Sequence, residues 1–222
     1  MTRPRSLVQM ISEHLREGIF RGDYRPGQRL IQADLAAALG VSRIPVREAL
    51  HRLAEEGLVV YHPRRGALVR RPDVREVHEA FETVKIIQRA AMELAVERVT
   101  DAAIADLERT HATLLRESRS GRSNGLVALN RRFHRTLYES CGLARLHDCV
   151  EILLFPYSHG IHVMLRRRGL SAAAEHDEIL QALRGRDRER LITATLKHTD
   201  HNCRALLDTL GRDGQPGGRA VG

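Results

Sequence analysis

GDYRPGQRLIQADLAAALGVSRIPVREALHRLAEEGLVVYHPRRGALV, residues 22–69, decides the fold of the N-terminal third. Pro26-Gly27 breaks the chain before a short extended Arg29-Leu30-Ile31. A short helix is expected over about Gln32 to Leu39, with Leu35 and Leu39 inward and Gly40 as its stop. Ser42 is placed to cap a third helix with Pro45 in its first turn, where a missing amide hydrogen costs nothing. Its inward residues are Val46, Leu50 and Leu53. The pattern then changes to LVVYHPRRGALVRR, two β-prone runs about a turn from Pro63 to Gly66, which reads as a hairpin. Upstream, Ser6 can cap a helix carrying Leu7, Ile11, Leu15 and Ile19 on one stripe until Gly22 ends it. Helix, short strand, helix, tight turn, helix and basic-tipped hairpin together predict a winged helix-turn-helix over residues 1–72.

From Asp73 the periodicity is helical almost without interruption. Six helices are expected: about Asp73 to Val99, Asp101 to Ser118, Ser123 to Cys141, Ala144 to Arg168, Ser171 to Arg184 and Asp187 to Leu210. The fold class is thus mainly α, a winged helix-turn-helix followed by an all-helical bundle over residues 73–210. The tail, residues 211–222, has too little apolar content to pack and is expected to be disordered.

Composition agrees with this division. Hydrophobic residues are 42% and charged residues 29% of 222, the balance of a folded globular chain, while aromatics at 4% and no Trp favour helix over sheet. No apolar run reaches membrane-spanning length and the N-terminus lacks a signal-peptide core, so a cytoplasmic protein without membrane attachment is expected. Cys141, Cys149 and Cys203 form no CxxC and read as helical core fillers. The net charge of +8 is uneven: Met1 to Arg71 holds 13 basic and 7 acidic residues, against 23 and 21 over the rest. Such a block attracts phosphate.

Arg43 and Arg47 lie four apart at the start of the third helix, where like charges repel unless an anion compensates. With Ser42 and the first-turn amides they suit a helix entering the major groove of double-stranded DNA, and Arg65-Gly66 at the hairpin tip suits an approach to the minor groove. Residues 6 to 71, with GVSRIPVREALHRLAEEGLV and the RG wing, closely resemble the DNA-binding domain of the GntR family of bacterial transcription regulators. The resemblance implies DNA contacts at Ser42, Arg43, Ile44 and Arg47, joined by Arg65 and Gly66. Ala33 stands where some members of that family place a phosphate-contacting arginine.

Nine of twelve histidines lie beyond residue 72. Asn130 and His134 share one helix face in ALNRRFHRTLYE, His176 lies in AEHDEIL and His198 in ATLKH; inward donors from three helices of one bundle can converge on a divalent ion. The pairs His159 with His162 and His198 with His201 compete on spacing alone. Residues 74 to 210 are similar to the FCD effector domain of the FadR subfamily, six helices pointing to its VanR-like branch. That resemblance implies a Zn or Ni site at Asn130, His134, His176 and His198, from FHRTL, EHDEIL and a histidine 22 residues further on. It also implies a small organic acid as effector. Asn130 replaces the more usual Asp, Val84 a frequent Arg, and Leu143 a frequent Asn.

The expected function is therefore a ligand-responsive regulator, a repressor, that binds a palindromic operator as a homodimer. A DNA-binding regulator with a purely structural metal is one alternative. A metal-dependent enzyme is another, but it needs an acid or base beside the ion, and its candidates Glu82, Glu175 and Asp148 have no motif-grade spacing.

Overall fold

The computed structural model describes residues 6–120, 125–143 and 145–213; of Ser158, His159, His162, Arg166 and residues 211–213 it describes only the backbone. The chain folds as two compact units, Met1–Asp73 and Val74–Gly222. Among the described residues no helix is long and apolar enough to cross a membrane.

In the first unit, α1 (Leu7–Arg21) opens with a capping box: the Ser6 hydroxyl accepts from Gln9 N at 3.2 Å and the Gln9 side chain accepts from Ser6 N at 2.8 Å. It closes at Gly22, whose φ of 90° suits only a residue without Cβ. Ile11, Leu15 and Ile19 are buried, whereas Leu7 is 46% exposed. A step of four residues overshoots one turn by about 40°, so the stripe drifts round the helix and Leu7, three steps before Ile19, turns out of the core. α2 (Gln32–Leu39) ends at Gly40 in the left-handed region, and α3 (Arg43–Glu55) buries Val46, Ala49, Leu50 and Leu53 completely. Leu39 is only half-buried.

β1 (Val59–His62) and β2 (Gly66–Val69) pair antiparallel, Val59 opposite Val69 and His62 opposite Gly66. The Arg29-Leu30-Ile31 stretch forms a single bridge, Arg29 to Leu68, instead of a full strand. Its neighbours still lace the hairpin to the loop before α2: Leu30 N donates to Ala67 O and Val69 N to Gln28 O, both at 2.9 Å.

The second unit is α4 (Val74–Arg98), α5 (Asp101–Arg119), α6 (Leu126–Glu139), α7 (Arg145–Leu154), a 3₁₀ turn at Phe155–Tyr157, α8 (Ser158–Arg184) and α9 (Arg188–Asp213). Six α-helices are present among the described residues, with one break more than expected between Arg145 and Arg184. The unexpected break lies around Pro156, which has no amide hydrogen to donate and whose ring clashes with the carbonyl four residues back. The break expected at Gly169 is also present: with φ 2° and ψ −79° its backbone is not helical, and α8 is two helical stretches joined across a kink there. α9 runs three residues past Leu210, and the remainder of the tail, residues 214–222, lies outside the described residues, as does the Ser123 expected to begin α6.

One apolar cluster centres on Met92 and Ala95 of α4, Phe133 and Leu137 of α6, Ile179 and Leu183 of α8 and Leu191 of α9. Cys141 and Cys203 are buried as expected, but Cys149 is exposed.

Candidate functional site

In the first unit the exposed side of α3 carries the cations. Arg43 and Arg47 are exposed, Ile44 is 61% exposed, and Arg65 and Gly66 stand exposed at the hairpin tip, where Gly66 has φ 73°. Among the described residues none of Arg43, Arg47 and Arg65 has an ion-pair partner. Ser42 occupies the N-cap position with extended backbone, but its hydroxyl makes no bond to the helix, contrary to the capping expected of it. Ala33 is half-buried. Sequence reasoning missed His51, which follows Arg43 and Arg47 at the same four-residue interval and stacks on Tyr61 of β1, ring centroids 4.7 Å apart. The interval itself was the available signal.

In the second unit α6, α8 and α9 bring His134, His176 and His198 together, one possible ligand atom of each lying within 4.8 Å of the others. Asn130 is half-buried one turn before His134 on α6. His176 has zero exposure and neither ring nitrogen has a hydrogen-bond partner. A buried, unsatisfied polar atom costs about 1–3 kcal/mol, so such a ring calls for a ligand. Phe133 stacks on it nearly parallel, at 4.0 Å and 7°, which fixes the plane of the imidazole. Burial keeps all three rings neutral, the state a metal requires: His134 is pushed down to about 3 by burial and then by His198 and His147. His176 is lowered by burial and by its histidine neighbours. His198 is lowered by burial, partly offset by Glu175. The donor set therefore fits a divalent transition metal.

The competing histidines divide. His201 turns to Glu175, Nδ1 to Oε1 at 2.5 Å, and the side chains of His159 and His162 lie outside the described residues. Of the possible acid–base carboxylates, Glu82 is tied to Lys85 at 2.7 Å and Asp148 is largely exposed. Glu175 does reach the triad, with both oxygens engaged: Oε2 with His198 Nδ1 at 2.8 Å, Oε1 with Arg168 and His201. Burial alone would raise its carboxyl, but hydrogen bonds from His198, His201 and Arg168 outweigh that and hold it at about 2.

Sequence reasoning missed Arg168 and Asn202 and passed over Glu175 except as a base. Helical spacing carried a signal for Asn202, four residues after His198 on α9, but not for Arg168, which the kink at Gly169 separates from Glu175. It also missed Gln88, buried between α4, α6 and α9, which donates to the Tyr138 hydroxyl at 2.9 Å and accepts from Thr199 at 2.7 Å. Val84 is buried in the main apolar cluster, and Leu143 is 46% exposed.

A basic, winged helix-turn-helix joined to a helical bundle defines a DNA-binding transcription regulator and not an enzyme. The family described as bacterial regulatory proteins, gntR family, matches residues 7–69, and the FCD domain matches residues 79–201. The chain belongs to the GntR family, in the group whose members carry an FCD domain. It is similar to the HTH-type transcriptional regulator YdhC of Bacillus subtilis, 24% identical over 95% of each chain. It is 28% identical to the transcriptional regulator McbR of Escherichia coli over 83% of this chain and 85% of that one. The solved structure of McbR superposes with a TM-score of 0.71, covering 92% of this chain and 98% of that chain at 25% identity. The transcriptional repressor RspR of Escherichia coli is 27% identical over 86% of this chain and 84% of its own.

Proposed function

We propose that this regulator is a homodimeric repressor of a palindromic operator, released by a small organic acid seated at a metal centre in its FCD domain. The observation that carries the sensing half is His176, wholly buried in a histidine triad with both ring nitrogens unpartnered. His134, His176 and His198 would hold a Zn or Ni ion, with Asn130 beside them. A divalent ion there supplies positive charge and coordination positions that a carboxylate can take. The protein's own part is to present three neutral imidazoles and, because Asn130 is an amide, to put no carboxylate directly on the ion, which leaves that coordination to the incoming acid. The repressor sign follows the similar RspR, a transcriptional repressor.

On the DNA side, α3 would lie in the major groove with Ser42, Arg43, Ile44 and Arg47 on bases and phosphate, while Arg65 and Gly66 of the wing approach the minor groove. A dimer follows from two such helices meeting half-sites about 34 Å apart. Effector binding would favour one packing of the helical bundle, shift α4, which directly follows the wing, and change the spacing of the two α3 helices.

The test is the metal content of the purified protein by elemental mass spectrometry, with operator affinity titrated against added Zn or Ni and a panel of carboxylates. About one ion per chain is expected, lost in the double variant His134→Ala, His176→Ala, and a carboxylate should weaken operator binding only when the ion is present. Wild type that takes up no added metal, and whose DNA affinity no acid alters, would sink the proposal. The complete burial of His176 and His198 also suits a purely structural ion. In that case chelation would unfold the helical domain instead of changing a ligand response.

Arg47→Ala should weaken operator binding by about 1–3 kcal/mol and relax preference at one position if the guanidinium reads a base. If it contacts phosphate, the loss should be uniform over sequences and the salt dependence shallower. Fluorescence anisotropy at two salt concentrations separates the two, and an unchanged affinity and slope would refute the docking.

A further inference from the structure

Arg168, Asn202, His198 and Glu175 close a ring of four side chains between α8 and α9, and chemistry dictates the direction of each bond. Arginine can only donate, so the Asn202 atom facing Arg168 Nη1 is its carbonyl oxygen Oδ1. The other end of that amide, Nδ2, therefore faces His198 Nε2, at 2.9 Å. Nδ2 is also a donor, so Nε2 must offer a lone pair. The single proton of a neutral imidazole then sits on Nδ1, which donates to Glu175 Oε2 at 2.8 Å. Arg168 Nη2 closes the ring on Glu175 Oε1 at 2.5 Å.

Resting on the metal centre proposed above, we infer that Glu175 is a positioning residue for it: it fixes His198 in the Nδ1–H tautomer, which leaves Nε2 as the ligand atom, and it supplies the carboxylate charge that Asn130 lacks. Among the described residues Glu175 is the carboxylate hydrogen-bonded to a triad histidine. A metal-bound histidine whose other nitrogen donates to a carboxylate is both held in orientation and made more basic. Arg168 has the opposite electrostatic sign. It anchors Glu175 but places a cation, 13% exposed, beside the triad. Asn202 has a third role, because an ion at Nε2 takes the place of its amide.

The plainer role for the ring is a brace between two helices, and the two roles differ in sign. As a brace, Glu175→Gln and Arg168→Gln should harm the protein alike. As a positioning device, Glu175→Gln should weaken Zn²⁺ binding about 10- to 100-fold while Arg168→Gln binds at least as tightly as wild type.

The experiment is Zn²⁺ competition against a chromophoric chelator for wild type and both variants, with thermal melts in excess chelator to confirm folding. Nitrogen-15 NMR of the His198 ring in chelator-treated wild type gives a readout that needs no metal. Opposite shifts in the two variants, with an Nδ1–H tautomer in wild type, are the expected result. Equal losses in both variants, or Glu175→Gln binding like wild type, would overturn the assignment while leaving the metal centre standing. Wild type that binds no Zn²⁺ would remove the metal centre and this role with it. Should Glu175→Gln fail to fold, an Nε2–H tautomer in wild type or a weakened Arg168→Gln still overturns it.

Discussion

Phe133→Ala is expected to lower the unfolding free energy by about 3–5 kcal/mol, the range for deleting a fully buried aromatic ring and leaving a cavity. Phe133 has zero exposure and sits in the main apolar cluster of the second unit. A typical domain has only about 5–15 kcal/mol in total, so a fall of this size should be plain in urea titrations at neutral pH. The ring has a second task. Its face lies 4.0 Å from the imidazole of His176 and its edge meets His134 at 5.6 Å and 89°. Phe133→Leu keeps most of the apolar volume and loses the flat face, so it should cost less stability, about 1–2 kcal/mol, while still weakening metal binding. A Phe133→Ala protein within 1 kcal/mol of wild type would mean that the bundle collapses around the gap, and that the stack does not organise the triad.

With metal removed by a chelator, the protein should lose stability steeply on mild acidification. His134 is held down to about 3 by burial, and His176 and His198 are lowered by burial too. Below the ordinary value of 6.5 the unfolded chain binds protons on these rings and the folded chain does not. For His134 stability then falls by about 1.4 kcal/mol per pH unit over a window from 6.5 down toward 3. Between pH 7.5 and 5.5 His134 alone should remove about 1 kcal/mol, and His176 and His198 add to the loss in the same direction. Glu175, held at about 2, adds to the loss only below its ordinary value of 4.5. Urea midpoints at pH 7.5 and 5.5 measure this. A flat profile over that interval would show that the folded protein admits protons to the triad.

Local signals carried the first unit. Ser6, Gly22, Gly40 and Gly66 are each read within a few residues of where they act, and all four stand at the turns and ends they mark. The third strand fell short because a strand needs partners along its length, and Arg29 finds only Leu68. In the helical unit the glycine break was legible and the proline break was not. Gly169 breaks α8 where expected, while Pro156, which removes a donor, adds a break after α7. The three histidines were legible from spacing and resemblance together. Their supports were not, since the Gln88–Thr199 bond spans 111 residues and the Arg168–Asn202 bond 34. Only the packing of one helix on another selects such partners from many equivalent polar residues.

At the head of α3, the amides of Arg43 and Ile44 have no carbonyl a turn behind them, Pro45 has no hydrogen to give, and the Ser42 hydroxyl makes no bond to the helix. Under the docking proposed above, a DNA phosphate is the group that completes this helix. The free protein would then hold its reading helix in an unfinished state. Part of the affinity for any duplex would come from relief of that deficiency, before a single base is read.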